Sequence, residues 1–229
     1  MSKLKNYFSM SEMILWCSSV MMIIISFCAF DRENYLTLFA SLIGVTSLIF
    51  NAKGNPVGQF LMIIFSLMYG IISFNFSYYG EMITYLGMTM PMAIFALISW
   101  LKNPYNGNRA EVKVNTISKK ESVFMWIGTI VITVLFYFIL KHFNTANIVP
   151  STLSVTTSFI AVYLTFRRSP YFALAYAGND IVLIILWILA SAKDFRYISV
   201  VVCFVAFLAN DIYGYINWKK MKIWQERNC

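Results

Sequence analysis

The chain has 229 residues, of which 59% are hydrophobic and only 12% are charged. Soluble proteins carry about 25% charged residues, so the composition excludes an ordinary soluble domain and predicts an integral membrane protein. The formal net charge of +8 at pH 7 does not require a nucleic-acid partner, because membrane topology accounts for it.

Eight apolar stretches approach the length of about 20 residues that a helix needs to cross the hydrocarbon core. We therefore predict an all-α membrane protein with eight transmembrane helices. The second and sixth stretches are the shortest. In chain order, the predicted spans cover residues 12–30, 36–51, 57–76, 83–101, 123–141, 150–166, 171–190 and 197–218.

Lysine and arginine are distributed unevenly between the predicted loops. Only Arg32, Lys141, Lys193 and Arg196 fall on one side of the membrane, and the other fourteen of the 18 fall on the opposite side. Short cytoplasmic loops carry an excess of these residues. The pattern predicts that both termini are cytoplasmic.

The order of the spans predicts two three-helix repeats. Pro56 and Pro170 each open the middle span of a repeat, a position that tolerates proline because its missing N–H would be unpaired there. Trp100 and Trp218 each lie at the end of the last span of a repeat, with a lysine one or two residues later. A single helix between the repeats gives both the same orientation, a parallel arrangement known among transporters.

On this pattern the chain divides into five parts. Residues 1–35 form an N-terminal segment with the first helix, 36–101 the first repeat, 102–149 a cytoplasmic linker with the connecting helix, 150–220 the second repeat and 221–229 a cytoplasmic tail. The polar stretch 102–122 is expected to be a flexible tether.

Two Asn-Asp pairs interrupt the apolar spans of the second repeat, Asn179-Asp180 and Asn210-Asp211. A carboxylate near the bilayer centre costs on the order of 3 kcal/mol on insertion scales, and it usually marks a substrate, ion or proton path. The same residues would also serve as a polar clamp between packed helices. Function is favoured for Asp180, whereas for Asp211 both interpretations stay open.

Other polar and aromatic residues fall at helical spacing on the same spans. Aligning Pro56 with Pro170 places Ser66 at the position of Asp180, although helix packing is the favoured explanation for Ser66. Polar and aromatic faces of three helices that meet at the centre of the bundle predict a small hydrophilic site lined by aromatic rings. The candidate substrate-binding residues are Asp180, Asn179, Tyr176, Trp187, Gln59, Ser66, Tyr69, Asn210 and Asp211.

The sequence offers little for catalysis. His142 is the only histidine, the four cysteines lack metal-ligand spacing, and no phosphate-binding Walker loop is present. We therefore expect no enzyme activity, no cofactor and no bound metal. A membrane-embedded transferase and a receptor or structural protein are the alternatives to a transporter.

Several short segments resemble those of a known family. They are Tyr78-Tyr79-Gly80-Glu81-Met82, Met90-Pro91-Met92, Arg167-Arg168-Ser169-Pro170-Tyr171, Ala177-Gly178-Asn179-Asp180 and Asn210-Asp211-Ile212-Tyr213-Gly214-Tyr215-Ile216-Asn217-Trp218. Their order resembles the bacterial PnuC family of nicotinamide riboside transporters. The resemblance implies a core of three, one and three helices like that of SWEET sugar transporters, an extra N-terminal helix and often a homotrimer. It also implies facilitated diffusion of a vitamin-like nucleoside across the cell membrane, with retention by intracellular phosphorylation.

One motif of this family is altered. The family carries Trp, Trp, Asn and Trp at spacings of three, four and four; with the Asn at Asn179, the other positions hold Phe172, Ala175 and Leu183. The change leaves thiamine, riboflavin and deoxynucleosides as alternative ligands. A proton-coupled symporter is an alternative mechanism, because an intramembrane aspartate can also relay protons. Nicotinamide riboside and thiamine are cations, which suit an intramembrane carboxylate.

Overall fold

The computed structural model describes residues 7–75, 78–145 and 147–228. The lysines at positions 3 and 5 and the cysteine at position 229 lie outside the described residues. Within this part of the chain, eight helices are long and apolar enough to cross a membrane, as the sequence predicts. They are α1 Met10–Phe30, α2 Tyr35–Ala52, α3 Val57–Asn75, α4 Tyr79–Lys102, α5 Lys119–His142, α6 Ile148–Phe166, α7 Phe172–Ser191 and α8 Ile198–Arg227, the last preceded by the 3-10 turn Phe195–Tyr197.

Three helices extend beyond the predicted spans. Helix α4 begins at Tyr79, α5 begins at Lys119, and α8 continues to Arg227. Apolar patterning locates only the part of a helix inside the hydrocarbon, whereas caps and tertiary contacts set its ends. Ser118, for example, caps α5 by accepting a hydrogen bond from the backbone N–H of Glu121.

The predicted flexible tether instead contains a packed β-hairpin. Strands β1 (Pro104–Tyr105) and β2 (Asn108–Val112) pair antiparallel, and Val112 is fully buried. The side chain of Gln225 in α8 holds the following segment, accepting from the Val114 N–H at 2.8 Å and donating to the Val112 carbonyl. The expectation of flexibility was wrong because the polar composition of this stretch conceals these long-range contacts.

The linker also joins the two turns that precede α3 and α7. The Val112 N–H donates to the carbonyl of Gly54 at 2.9 Å, and the Asn115 N–H donates to the carbonyl of Arg168 at 3.0 Å. Gly54 and Arg168 both have left-handed backbone conformations, with φ of 65° and 56°. Glycine adopts this conformation at little cost, whereas arginine adopts it under strain.

The packed core lies along α2, α3, α7 and α8. Helices α1 and α5 are peripheral: only 22% of the apolar window of each is buried, against 56% for α2. The outward face of α5 carries exposed Phe124, Ile130 and Phe138. Extensive exposed apolar surface of this kind is suited to contact with lipid.

Candidate ligand-binding site

A cavity of about 30 Å³ lies in the interior of the helical bundle. Among the described residues its lining comes from α2, α3, α4, α6, α7 and α8, which are the helices of the two predicted repeats. Pockets for drug-sized ligands measure about 300 Å³ or more, so the cavity in this structure is smaller than such a ligand needs. The lining residues are Leu48, Met62, Phe65, Tyr85, Thr89, Ser158, Tyr176, Asn179, Asp180, Phe204, Phe207 and Asp211.

Two carboxyl groups face each other in this cavity. Asp180 on α7 and Asp211 on α8 are 3% and 4% exposed, and their carboxyl groups lie within hydrogen-bond reach of each other. Among the described residues, Oδ2 of Asp180 has no hydrogen-bond donor. Like charges repel strongly in a low-dielectric interior, so the pair would gain free energy from a cation or a shared proton placed between the two groups.

Asn179 is held in one orientation by α6. Its Oδ1 accepts hydrogen bonds from the hydroxyl groups of Thr157 at 2.8 Å and Ser158 at 3.1 Å. In this orientation the two hydroxyl groups occupy the amide oxygen, which leaves the amide NH₂, a donor, as the part of Asn179 that is suited to a ligand.

Aromatic rings form much of the remaining wall. Phe65 and Phe207 are 5.5 Å apart between ring centroids, and Phe204 and Phe207 are 5.6 Å apart. Tyr176 and Tyr85 bring rings to the same cavity. Aromatic faces attract cations, by about 0.5 to 2 kcal/mol depending on desolvation. The cavity therefore combines two features that favour a flat organic cation.

Two predicted site residues lie on the other side of this wall. Tyr69 and Trp187 belong, with Tyr78 and Tyr197, to an outer aromatic cluster toward the face that the charge pattern places outside. Trp187 packs on Tyr78 at 5.2 Å and on Tyr197 at 5.4 Å between centroids. The ring centroids of Tyr69 and Tyr85 are 4.4 Å apart, so Tyr69 connects this outer aromatic cluster to the cavity lining.

Three further predicted residues do not line the cavity. Gln59 donates to Oδ1 of Asn51 at 2.8 Å, and Asn210 donates to the hydroxyl of Ser19 on α1 at 2.9 Å. Ser66 on α3 is buried but does not line the cavity. Gln59 and Asn210 thus join helices, which is the packing role that intramembrane amides also perform.

Sequence reasoning missed Tyr85, Thr89 and Ser158, which do line the cavity. Tyr85–Thr89 form a π-helical turn within α4, a feature that often marks functional sites. This wider turn rotates the residues that follow it, compared with a regular α-helix. Helical spacing alone therefore does not predict which residues of α4 face inward. Ser158 gave no distinct signal among the many small polar residues of α6.

The profile of the family described as nicotinamide mononucleotide transporter matches residues 34–220. The chain belongs to this family. The match begins one residue before α2 and ends within α8, so it covers both predicted repeats and leaves out α1.

Two curated relatives of this chain are named "Nicotinamide riboside transporter PnuC". The protein of Neisseria mucosa is 27% identical over 197 residues, covering 84% of this chain and 74% of its own length. That of Haemophilus influenzae is 25% identical over 193 residues, covering 82% and 81%. A solved structure titled "Crystal structure of the Vitamin B3 transporter PnuC" has the same fold, with a TM-score of 0.83, 23% identity and coverage of 96% of this chain and 94% of that chain.

Family membership confirms the resemblance drawn from the motifs. The chain is a multi-pass membrane transporter, and its relatives are transporters rather than enzymes. The described residues contain no group of three or more His, Cys, Asp and Glu side chains placed to hold a metal ion.

Proposed function

We propose that this protein carries nicotinamide riboside across the bacterial cell membrane by facilitated diffusion, and that phosphorylation inside the cell retains the ligand. The observation that carries the proposal is the pair of buried carboxyl groups, Asp180 and Asp211, in an aromatic cavity lined by both predicted repeats. The names of the two curated relatives support the choice of ligand.

The charge of the pair favours a cationic ligand. A buried carboxylate loses hydration that only a partner charge or hydrogen-bond donors replace. The described lining of the cavity contains no lysine, arginine or histidine, so the protein supplies no counter-ion there. The pyridinium ring of nicotinamide riboside would provide the missing positive charge and would stack against the surrounding aromatic rings.

The neutral parts of this ligand also find partners in the lining. The NH₂ group of Asn179 would donate to the carboxamide oxygen or to a ribose hydroxyl. The ribose hydroxyls would in turn donate to Asp180 or Asp211, since ionised carboxylates accept hydrogen bonds only. Thr89 and Ser158 place further hydroxyl groups at the cavity.

Aromatic side chains close both ends of the proposed route. The outer aromatic cluster covers one end. An inner aromatic cluster of Trp100, Phe172 and Trp218 covers the other, with Phe172 and Trp218 at 4.8 Å and Trp100 and Trp218 at 5.4 Å between centroids. We propose that the two clusters open alternately, as the two repeats rock about a central site. Both termini are cytoplasmic in this proposal, and the assembly is a homotrimer.

Thiamine is the second candidate ligand. Its thiazolium ring carries the same charge, and Phe172, Ala175 and Leu183 replace the family tryptophans that accompany Asn179. Riboflavin and deoxynucleosides are neutral and would gain less from the carboxyl pair. A proton-coupled symporter is the alternative mechanism, because an intramembrane aspartate can also relay protons.

Purified protein in liposomes tests the proposal. Nicotinamide riboside should equilibrate down its gradient without ATP, and internal unlabelled ligand should accelerate entry of labelled ligand. Thiamine, riboflavin and a deoxynucleoside serve as competitors. Accumulation above the external concentration, driven by a proton gradient and without trapping, would establish the symporter instead.

A further inference from the structure

Glu81 is a buried acid that the central cavity does not use. Its side chain is 1% exposed, and Oε2 has no hydrogen-bond partner among the described residues. No basic side chain in this part of the chain forms an ion pair with it. Glu81 lies in the first turn of α4, where the helix dipole stabilises an anion by about 0.3 to 2 kcal/mol. Burial of a lone carboxylate costs several kcal/mol, so the helix end alone does not offset it.

The position of Glu81 is on the route between one face of the bundle and the cavity. Tyr78 lies immediately before the first residue of α4, and Tyr85 follows Glu81 by four residues, a spacing that places Glu81 and Tyr85 on one face of the helix. Tyr85 lines the cavity, and a rise of 1.5 Å per residue puts Glu81 about 6 Å from the level of Tyr85. Tyr78 is half-buried at the rim.

Three tyrosines lie near this acid, because the Glu81 carboxyl interacts electrostatically with the hydroxyl groups of Tyr69, Tyr78 and Tyr85. Trp187 packs on Tyr78, and the rings of Trp187 and Tyr69 are nearly perpendicular with their centroids 6.2 Å apart. A carboxylate among several electron-rich rings is the arrangement that recognises pyridinium, thiazolium and quaternary ammonium groups.

We propose that Glu81, together with Tyr69, Tyr78 and Trp187, forms a second binding site for organic cations between the predicted outer face and the central cavity. An organic cation occupies this site transiently, when the outer aromatic cluster opens. Two weak sites in series allow a ligand to enter without being held too tightly to leave, as in channels. The choice of nicotinamide riboside as the passing cation rests on the proposed function; the preference for a cation does not.

The Glu81→Gln variant tests the site by transport. Its matched control is Glu33→Gln, because Glu33 is an exposed acid in a loop at the same face, with a side chain 86% exposed. For nicotinamide riboside, kcat/KM should fall about tenfold in Glu81→Gln, the low end of the range for contacts with a charged group. Dihydronicotinamide riboside, which has nearly the same shape and no charge, should be transported as by the wild type. Equal slowing of both ligands, or of neither, would overturn the proposal.

A binding measurement tests the site independently of the transported ligand. N-methylpyridinium quenches tryptophan fluorescence on contact, and Trp187 lies in the proposed site. Titration of the purified protein should give saturable quenching that is lost in Glu81→Gln and in Trp187→Phe, with a melting temperature at or above that of the wild type for Glu81→Gln. Non-saturable quenching of the wild type would disprove the site, whereas failure of nicotinamide riboside transport alone would disprove only the proposed ligand.

Discussion

Trp100 and Trp218 make equivalent hydrogen bonds in opposite halves of the chain. The indole N–H of Trp100 donates to the Thr165 carbonyl at 2.9 Å, and that of Trp218 donates to the Asn51 carbonyl at 2.7 Å. Each tryptophan therefore joins the last helix of one predicted repeat to the end of the first helix of the other. This exchange of contacts supports the parallel repeat proposed from the sequence.

The exchange predicts that both indole N–H groups stabilise the closed inner end to a similar degree. Trp100→Phe and Trp218→Phe should each lower the free energy of unfolding by about 1 to 3 kcal/mol, because each leaves a buried carbonyl without its donor and removes ring contacts. Thermal melting in detergent measures the effect. Trp126→Phe is the control, since Trp126 is 53% exposed on α5. A loss confined to one of the two variants would contradict the equivalence.

The turn at Arg168 predicts a stabilising substitution. Arg168→Gly should raise the free energy of unfolding by about 1 kcal/mol, because glycine adopts the left-handed conformation without strain. Burial and the neighbouring Arg167 also lower the pKa of Arg168, so loss of its charge brings no penalty. Arg168→Ala removes the same side chain but keeps the strained conformation. Equal melting temperatures for the two variants would show that backbone strain is not the cause.

The predicted topology can be tested by labelling engineered cysteines in intact cells. In a background without the native cysteines, Asn108→Cys should react with a membrane-impermeant reagent only after the membrane is opened. Ala192→Cys should react from outside. Both positions are exposed, so burial would not explain protection. Labelling of Asn108→Cys in intact cells would show that the predicted orientation in the membrane is wrong.

Much of this architecture follows from the sequence. Hydropathy sets the number of spans, because each span must satisfy its backbone hydrogen bonds within the bilayer. The carboxylates at 180 and 211 stand out because charge is expensive in an apolar span. Glu81 lies just outside the predicted fourth span, and for that reason composition did not mark it as a buried acid.

The arrangement of the site could not be predicted in the same way. Asn210 is next to Asp211 in sequence, yet it contacts Ser19 on α1 while Asp211 faces the cavity. Adjacent residues on a helix point about 100° apart, and only the position of the neighbouring helices decides which of them meets the cavity. The π-helical turn at Tyr85 adds a rotation that the pattern of residues does not record.

Asp211→Asn separates ligand binding from helix clamping. Asp180 remains in this variant, so we expect affinity for nicotinamide riboside to fall less than in Asp180→Asn. The double variant should lose more than either single variant, and by a non-additive amount because the two groups are in contact. Isothermal titration of the folded variants measures this. Unchanged affinity in the double variant would assign the pair to packing.

The central claim is that Asp180 is the partner of a positive charge on the ligand, and titration of Asp180→Asn tests it most directly. The substitution keeps the size of the side chain and its hydrogen-bonding capacity but removes its charge. Affinity for nicotinamide riboside should fall roughly 5- to 150-fold, equivalent to about 1 to 3 kcal/mol, while affinity for neutral dihydronicotinamide riboside should be nearly unchanged. Unchanged affinity for both ligands in a stably folded protein would contradict the claim and leave the interhelical clamp as the role of Asp180.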